Sequence, residues 1–515
     1  MATAQPSTSA TLTGRAVSGT AWSTISTAGR QVLSIISVAT VARILGPKTY
    51  GVMALANLLI VFILNFRDLG TGSAIVQRTA VSKRFLSSLF WVNFLLGLVM
   101  ALAVISASPL MARWFHSPQL VPILCVLSAS FWLTSCGVVA NSLLVRNMKF
   151  RSLAVVDLSA ALASYIVALT FAYNGFGVWS LVFANVANSL TATAGYCIAS
   201  GWSPKREFDR AEVGSIAHYS LNLSGFGLVN YFSRNADNIV VGKFLGEAPL
   251  GAYQMAYNLM LTPIQNISSV IAQATFPAFA RIKDDNERFR QAYTRSCMLI
   301  ALITFPVMAG MGVVADPMIR AIMGQKWVAA IAIFQILAAV GLVQSIATTV
   351  GQIYMAKART DWMFRWGLFY CFVCITAFLI GVHYGATGVA IAYCAAYLGV
   401  LMVPGFVIPF RAIGLRFLDF ARALLPQLVI TGVMVITCLL WMRLLRSQGI
   451  ASSWVLLLST AALGAVVYIG ILLVAWPPVM EHLETVLGHV NNRWIVAVFS
   501  WLGAFRRVFR PLREA

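Results

Sequence analysis

The stretch from Asn230 to Gly251 reads NYFSRNADNIVVGKFLGEAPLG and places two charges, Arg234 and Asp237, inside a long apolar segment. Only 10% of the residues in the chain are charged. A charge at bilayer depth costs roughly 2.5 to 3.5 kcal/mol, so such residues face a protein interior or a wet cavity. A spacing of three puts both charges on one helical face, with Asn230 one turn earlier. We therefore predict that this face is turned away from lipid.

Two interpretations of Arg234 and Asp237 stay open at the level of sequence. The two side chains could neutralise each other and hold helices together. Alternatively, Arg234 contributes to a binding site for an anionic ligand, and Asp237 tunes or gates that site. A second arginine favours the binding site, because Arg30 lies in a polar stripe of the first apolar segment that contains no acidic residue. Its partner must come from another helix or from a ligand. The members of this stripe are Ser23, Ser26, Arg30, Ser34 and Ser37.

The composition is that of a protein that crosses a membrane many times. Hydrophobic residues make up 59% of the chain and the mean hydropathy is +0.82, well above what soluble domains show. Apolar runs long enough to cross a hydrocarbon core of about 30 Å recur throughout. We predict an all-α polytopic protein with about fourteen spans. The approximate spans are 17–42, 49–66, 86–108, 119–144, 153–173, 178–200, 214–242, 250–275, 296–315, 329–355, 366–383, 387–410, 421–442 and 454–476.

The formal charge of +21 is distributed as in a membrane protein and not as in a protein that binds nucleic acid. With the N-terminus inside, 27 of the 37 Lys and Arg residues fall in inner segments, eight in outer loops, and Arg30 and Arg234 within spans. This asymmetry follows the positive-inside rule. We therefore expect a multi-pass membrane protein with both termini in the cytoplasm, and no nucleic-acid partner.

The cysteines do not indicate a disulfide framework or a metal site. All eight fall within predicted spans, where extracytoplasmic disulfides do not form. Cys371 and Cys374 form a CxxC pair, but on a membrane helix packing is the favoured interpretation. We expect no metal, no cofactor and no catalytic residue. Residues 1–14 form a Ser/Thr-rich leader that we predict to be disordered, and the first span is too long for a removable signal peptide.

The chain contains an internal repeat with a constant offset of 200 residues. Such self-similarity predicts two related lobes, which we place at residues 15–200 and 201–411, followed by an extra helix pair at 412–476 and an amphipathic basic cytoplasmic tail at 477–515. Both lobes start from the same side, so the repeats are parallel and a transport site is expected between them near the midplane. The glycines of the repeat are interpreted as tight turns. The matched pairs are Arg43 and Lys243, Leu45 and Leu245, Gly46 and Gly246, Gly51 and Gly251, Ala56 and Ala256, and Leu59 and Leu259.

Span eight adds a polar stripe that includes Asn258 and Gln265. Neutral hydrogen-bonding groups suit sugar hydroxyls, but the same groups also form hydrogen bonds between membrane helices and stabilise their packing. Asp157 comes soon after a basic run, and the simplest interpretation is an acid favoured by the dipole of a helix N-terminus. The segment from Phe279 to Arg295 is interpreted as a solvated amphipathic helix that joins spans eight and nine.

Three motifs resemble one family of exporters. They are GTAWSTISTAGRQVLSIISVATVARILGPKTYGVMALA at Gly19–Ala56, DLGTGSAIVQR at Asp68–Arg78 and RNADNIVVGKFLG at Arg234–Gly246. With these motifs the chain resembles the polysaccharide-transporter branch of the multidrug/oligosaccharidyl-lipid/polysaccharide exporter superfamily, the bacterial flippases for O-antigen and exopolysaccharide repeat units. The likeness covers most of residues 15–420.

The resemblance implies two six-helix lobes around a cationic cavity and the export of undecaprenyl-diphosphate-linked oligosaccharide by alternating access. Arg30 and Arg234 would contact the diphosphate, while Asn230, Asn258 and Gln265 are further candidates for substrate binding. No Walker-type GxxxxGK[ST] sequence is present, so we expect a proton or sodium gradient to drive transport, with Asp237 as the candidate coupling residue. Membrane lipids and polysaccharide polymerase or assembly proteins are expected partners.

Three other functions remain as alternatives. A peptidoglycan-precursor exporter and a multidrug exporter would belong to the same superfamily. A polyprenyl-linked glycan polymerase or ligase would be an enzyme, which we do not expect, because the predicted outer loops are short and carry only Glu247 and Asp316 as acids.

Overall fold

The computed structural model of the protein describes residues 9–64, 71–78, 81–208, 231 and 234–475. These residues form α-helices joined by short turns, as the sequence predicted. In chain order the helices are α1 Ser9–Ile44, α2 Pro47–Leu64, α3 Thr71–Gln77, α4 Lys83–Phe115, α5 Leu120–Arg146, α6 Phe150–Tyr173, α7 Val178–Ser200, α8 234–245, α9 Glu247–Arg281, α10 Asn286–Val313, α11 Ala315–Ile322, α12 Ala329–Ala347, α13 Val350–Ala356, α14 Thr360–Gly381, α15 Gly385–Ala395, α16 Met402–Arg411, α17 Phe417–Ser447 and α18 Ser453–Ala475.

Local capping explains several of the helix boundaries. Ser82 precedes α4 in an extended conformation, and its side chain accepts a hydrogen bond from the Phe85 amide. Asp285 caps α10 in the same way by accepting from the Arg288 amide. Such side chains satisfy amide groups that the first turn of a helix leaves without a partner. A π-helical turn at Ala396–Leu401 connects α15 to α16.

Eleven helical segments in the described part of the chain are long and apolar enough to cross a membrane. Each falls on one or two of the predicted spans, and the segment Thr360–Arg411 covers both span eleven and span twelve. Span eight corresponds to α9. Most of span seven has no described residues, so the number fourteen stays a prediction. The all-helical membrane architecture itself is confirmed.

The helices group into two compact units. The first unit contains residues 1–260, 319–340 and 359–405. One of its cores is built by Val41 of α1 and by Leu45, which follows α1, against Ala168 and Ala172 of α6 and Ala184 of α7. Alanine allows helix backbones to approach closely in a membrane, where packing replaces the hydrophobic effect as the force between helices.

The second unit contains residues 261–318, 341–358 and 406–515. In its described part, α10 packs against α17, and an aromatic cluster joins Phe289 and Tyr293 to Phe410 and Phe420. The Tyr293 hydroxyl lies 3.0 Å from the Thr349 hydroxyl, so its polar end is satisfied inside this core. The two units do not follow the boundaries at residues 200 and 411, and the predicted lobes stay a prediction.

Two local expectations are wrong. Helix α1 already begins at Ser9, so Ser9–Gly14 is helical and the predicted leader at 1–14 is too long. Once a helix exists, each added residue gains a hydrogen bond without a new nucleation cost, which favours this extension. The segment Phe279–Arg295 is not a separate connecting helix, because α9 ends at Arg281 and α10 begins at Asn286. The tail at 477–515 lies beyond the last described residue.

The repeat glycines play two different roles. Gly46 and Gly246 lie in the short breaks before α2 and α9, and Gly246 has a φ of +85°, which fits the predicted turns. Gly51 and Gly251 instead lie inside α2 and α9. Their prediction as turn residues is therefore wrong.

Gly51 and Gly251 allow two helix backbones to touch. A Cβ atom on Gly51 would lie 1.7 Å from the Glu247 carbonyl oxygen, and one on Gly251 would lie 1.9 Å from the Pro47 carbonyl oxygen. The contact is reciprocal, since Gly51 and Pro47 are each offset by 200 residues from Gly251 and Glu247. Only glycine permits this approach, because any side chain would overlap the facing carbonyl group.

Candidate functional site

Arg30 has an acidic partner on another helix. Its Nη1 atom lies 3.5 Å from Oδ2 of Asp157, and the side chains are 47% and 20% exposed, respectively. The Tyr196 hydroxyl donates a hydrogen bond to the other oxygen of Asp157, Oδ1. Residues from α1, α6 and α7 thus form one polar group, which we call the Arg30 triad. The partner of Arg30 was predicted to come from another helix or from a ligand, and in the structure it comes from helix α6.

The interpretation of Asp157 as a residue at a helix N-terminus is wrong. Helix α6 begins at Phe150 and has no acidic residue in its first turn. Asp157 lies two turns inside the helix, where the dipole at its N-terminus is already weak. The neighbouring cation Arg30 therefore provides the main electrostatic reason for an acid at this position. Sequence reasoning missed this pair because the two residues lie far apart along the chain.

Arg234 and Asp237 lie on the same short helix, α8, but in different environments. Arg234 is exposed, whereas Asp237 is only 4% exposed. Within the described residues no salt bridge joins them, so the interpretation of a self-neutralising pair gains no support from the geometry. The described residues also show no direct contact between Arg234 and Arg30. That the two arginines share one cavity stays a prediction.

Asp237 is buried and lies beside one phenol group, that of Tyr253. Its carboxylate accepts a hydrogen bond of 2.7 Å from the Asn238 amide. The buried Tyr253 hydroxyl lies near enough to Asp237 to interact with it electrostatically. Among the described residues this hydroxyl has no hydrogen-bond partner of ordinary geometry. No salt bridge to Asp237 is found in the described ranges. A buried carboxylate without a cation is expensive as an anion, so it favours either a proton or a bound cation.

Tyr253 belongs to a group of tyrosines that come from three parts of the first unit. Tyr253 stacks on Tyr257 of the same helix, α9, with ring centroids 6.3 Å apart. The Tyr370 hydroxyl lies 3.2 Å from the Tyr393 hydroxyl, and Tyr397 belongs to the π-helical turn. Turns of this kind are frequent at functional sites. We call Tyr253, Tyr257, Tyr370, Tyr393 and Tyr397 the tyrosine cluster.

Three predicted substrate-binding residues remain, and the structure describes two of them, Asn258 and Gln265. Asn258 and Gln265 are both exposed on α9, and their spacing of seven puts them on one helical face two turns apart. Asn230 falls in a range that the structure does not describe. Roles for these three residues in substrate binding stay predictions.

The sequence did not reveal a polar cluster at the start of α9. Glu247 accepts hydrogen bonds from the Ser117 hydroxyl at 2.5 Å and from the Gln119 amide at 2.9 Å, and its Oε2 lies 3.9 Å from Lys48 Nζ. An acid in the first turn of α9 also suits the helix dipole. Sequence analysis treated Glu247 as a loop acid. The 200-residue repeat could have predicted this position, because Glu247 corresponds to Pro47, and proline is common at the first position of a helix.

Nearby, side chains that follow α11 cap the end of α1. Trp327 Nε1 donates to the Ala42 carbonyl at 2.8 Å, and Lys326 Nζ donates to the Ile44 carbonyl at 2.7 Å. The last carbonyl groups of a helix lack partners within the helix, and cationic side chains satisfy them well. With the Glu247 cluster and the glycine contact, these bonds tie residues of the two predicted lobes together at this end of α1.

Comparison with known proteins identifies the family. A family model described as polysaccharide biosynthesis protein matches residues 40–332, which is more than half of the chain. The chain belongs to this polysaccharide biosynthesis family. The resemblance to the polysaccharide branch that the three motifs indicated is thereby confirmed.

Two bacterial proteins to which this chain is similar have names that refer to polysaccharide biosynthesis. The lipopolysaccharide biosynthesis protein WzxC of Escherichia coli (strain K12) is 28% identical over 427 residues, covering 81% of this chain and 87% of the relative. The succinoglycan biosynthesis transport protein ExoT of Rhizobium meliloti (strain 1021) is 29% identical over 306 residues, covering 59% of this chain and 62% of the relative.

Among solved structures, the lipid II flippase MurJ in an inward closed conformation shares the fold. The TM-score is 0.69, with 17% sequence identity, and the match covers 87% of this chain and 96% of that chain. At this level of identity the likeness establishes the fold alone. The protein is therefore a multi-pass membrane protein that shares its fold with the flippase MurJ.

Proposed function

We propose that the protein flips undecaprenyl-diphosphate-linked oligosaccharide repeat units across the bacterial inner membrane, by alternating access, for lipopolysaccharide or exopolysaccharide biosynthesis. The observation that carries this proposal is the combination of a polysaccharide biosynthesis family with a flippase fold. The names of the relatives WzxC and ExoT point to the same class of pathway.

The chemistry of the described residues supports this proposal. Arg30 and Arg234 are exposed on helices of an otherwise apolar chain. Arginine stays protonated and its planar fork binds phosphate oxygens in pairs, which suits a diphosphate.

Reconstitution in proteoliposomes tests the proposed function directly. The vesicles would contain undecaprenyl-diphosphate-linked oligosaccharide, and an added lectin would report the sugar that reaches the outer leaflet over time. We expect faster exposure with the protein than with empty vesicles. Parallel vesicles with lipid II or with a cationic dye separate the two exporter alternatives. Transport of only one of these, with no exposure of the oligosaccharide, would reject the proposed substrate. Elongation of the glycan would instead favour the polymerase alternative.

The proposed orientation places both termini in the cytoplasm and the turn between α6 and α7 outside. Asn174 is exposed in this turn, so a cysteine there is accessible to a membrane-impermeant maleimide. In a background with the exposed Cys197 replaced, we expect Asn174→Cys to be labelled on intact cells with a permeabilised outer membrane. Asn147→Cys, which lies in the exposed turn between α5 and α6, is the matched control and should require lysis. Labelling of Asn174→Cys only after lysis would overturn the topology.

We further propose that an ion gradient drives transport through Asp237. Its burial without a salt bridge among the described residues supports this role, because binding a proton or cation would remove the cost of the buried charge. Asp237→Asn keeps the size of the side chain but cannot change charge. We expect this variant to flip substrate at a rate that no longer responds to an imposed proton or sodium gradient.

The measurement compares flipping in proteoliposomes with and without each gradient. Asp361→Asn, which changes an exposed acid at the start of α14, is the matched control and should keep the response of the unmodified protein. Full gradient dependence in Asp237→Asn would show that Asp237 is structural and that coupling resides elsewhere.

A further inference from the structure

Among the described residues, Arg30 has one polar partner, Asp157, and the contact between them is weak. A single guanidinium nitrogen approaches a single carboxylate oxygen at 3.5 Å, and nearly half of the Arg30 side chain is exposed. Charge-assisted hydrogen bonds of good geometry are shorter, at about 2.7 to 2.9 Å. Half-exposed pairs of this kind contribute little stability. The remaining donors of the guanidinium are therefore available to a stronger ligand.

The carboxylate of Asp157 is shared between two partners. Oδ2 faces Arg30, while Oδ1 accepts the hydrogen bond of the Tyr196 hydroxyl. If Arg30 turned to another anion, Asp157 would keep the Tyr196 hydrogen bond and its own partial exposure to water. The cost of losing the arginine would therefore be small compared with that for a fully buried carboxylate.

The three helices also pack through apolar contacts outside the triad. Glycine contacts flank Asp157 on both sides along α6. A Cβ atom on Gly29 of α1 would lie 2.6 Å from a methyl carbon of Leu158, and one on Gly195 of α7 would lie 2.7 Å from a methyl carbon of Val156. Close contacts of this kind join membrane helices without polar groups. A purely structural role for the ion pair is accordingly a poor explanation for it.

We propose that Asp157 is a resident counter-ion of Arg30, which the diphosphate of the substrate displaces on binding and which pairs with Arg30 again when the substrate leaves. The inference rests on the proposed function. A diphosphate carries more negative charge than one carboxylate and can engage the guanidinium fork with two oxygens. The diphosphate therefore replaces Asp157 as the partner of Arg30 while substrate is bound. Its presence lowers the affinity for the diphosphate and accelerates release.

Binding measurements on the full-length protein in nanodiscs test this role, with a fluorescent short-chain polyprenyl diphosphate as the probe. Asp157→Asn keeps the shape and removes the competing charge. We expect its Kd for the probe to fall by roughly two- to fivefold, the effect of a weak ion pair, with a slower dissociation rate. In the flipping assay the same variant should show a lower KM together with a lower kcat. A merely structural defect would not tighten binding.

Tyr196→Phe provides a change in the opposite direction. This variant keeps both charges and removes the hydroxyl that stabilises the carboxylate away from Arg30. We expect weaker probe binding, because Asp157 then holds the arginine more firmly. Glu207→Gln is the matched control, since it removes the acid from an exposed pair with Arg84 at 3.6 Å. Its Kd should equal that of the unmodified protein.

The outcomes separate this inference from the proposed function. If the unmodified protein does not bind the probe, or if Arg30→Ala binds it equally well, the diphosphate site and the counter-ion role both fail. If Arg30→Ala loses binding while Asp157→Asn binds more weakly or unchanged, only the counter-ion role is overturned. If Asp157→Asn does not fold, Tyr196→Phe decides, and unchanged or tighter probe binding in that variant overturns the inference.

Discussion

Replacement of both Arg30 and Arg234 by alanine is expected to abolish polysaccharide export while the protein remains in the membrane. Both side chains are exposed in the structure, and neither packs a core whose loss would unfold the protein. Removing them takes away the cations proposed to bind the diphosphate. A hydrogen bond to a charged group is worth about 1.5 to 3 kcal/mol. Two such losses would lower affinity by several orders of magnitude.

The measurement is the amount of surface polysaccharide in a strain that depends on this protein, together with the amount of protein in the membrane. Lysine at both positions should restore export in part, because it keeps the charge but not the planar fork. The double change Arg113→Ala and Arg443→Ala, at two exposed arginines of predicted outer segments, is the matched control and should leave export intact. Normal export by a well-expressed Arg30→Ala, Arg234→Ala protein would remove the diphosphate-site hypothesis.

Gly251→Ala is expected to destabilise the folded protein severely. The added Cβ would lie 1.9 Å from the Pro47 carbonyl oxygen, far inside van der Waals contact, and the atoms in the way belong to backbone that cannot rotate aside. Helices α2 and α9 would have to separate at the point where they cross. Overpacking of a rigid contact typically costs about 1 to 3 kcal/mol and sometimes more. Gly51→Ala should behave alike, because its Cβ would lie 1.7 Å from the Glu247 carbonyl oxygen.

Thermal unfolding in detergent, followed by size-exclusion chromatography, measures this loss. Gly367→Ala is the matched control, since Gly367 lies in helix α14 with no atom near the position of an added Cβ. Alanine has a higher helix propensity than glycine, so this control should be at least as stable as the unmodified protein. A Gly251→Ala protein with the unfolding temperature of the control would show that the two helices do not depend on their close contact.

Hydropathy and charge in the sequence were enough to predict the architecture. Each predicted span with described residues corresponds to a helix, because the bilayer requires backbone groups to be satisfied within the segment and therefore dictates helical spans. The repeat could also be read from the sequence, and the reciprocal contact of Gly51 and Gly251 fits its offset of 200 residues. The same glycines were assigned to turns, however, because glycine suits both a turn and a close helix contact.

The candidate site was predictable only in part. The cost of a charge inside a membrane identified Arg30, Arg234 and Asp237 from the sequence. The partners of these residues could not be identified in this way. Asp157 was assigned to a helix end because the start of α6 at Phe150 was not known to within a turn. The sequence did not predict the tyrosine cluster, since tyrosines occur throughout membrane proteins and only the fold brings these five together.

By itself, the sequence determined that the chain forms apolar helices, that those helices repeat, and that certain of them carry charges which must avoid lipid. These properties depend on composition and periodicity, which act over one or two turns of a helix. Only the tertiary structure decided that Arg30 meets Asp157 and not Asp237, and that Asp237 is buried beside Tyr253. Pairings of this kind depend on how helices far apart in the chain are rotated and packed against one another, and small residues such as Gly29 and Gly195 set that packing through contacts that no local pattern encodes.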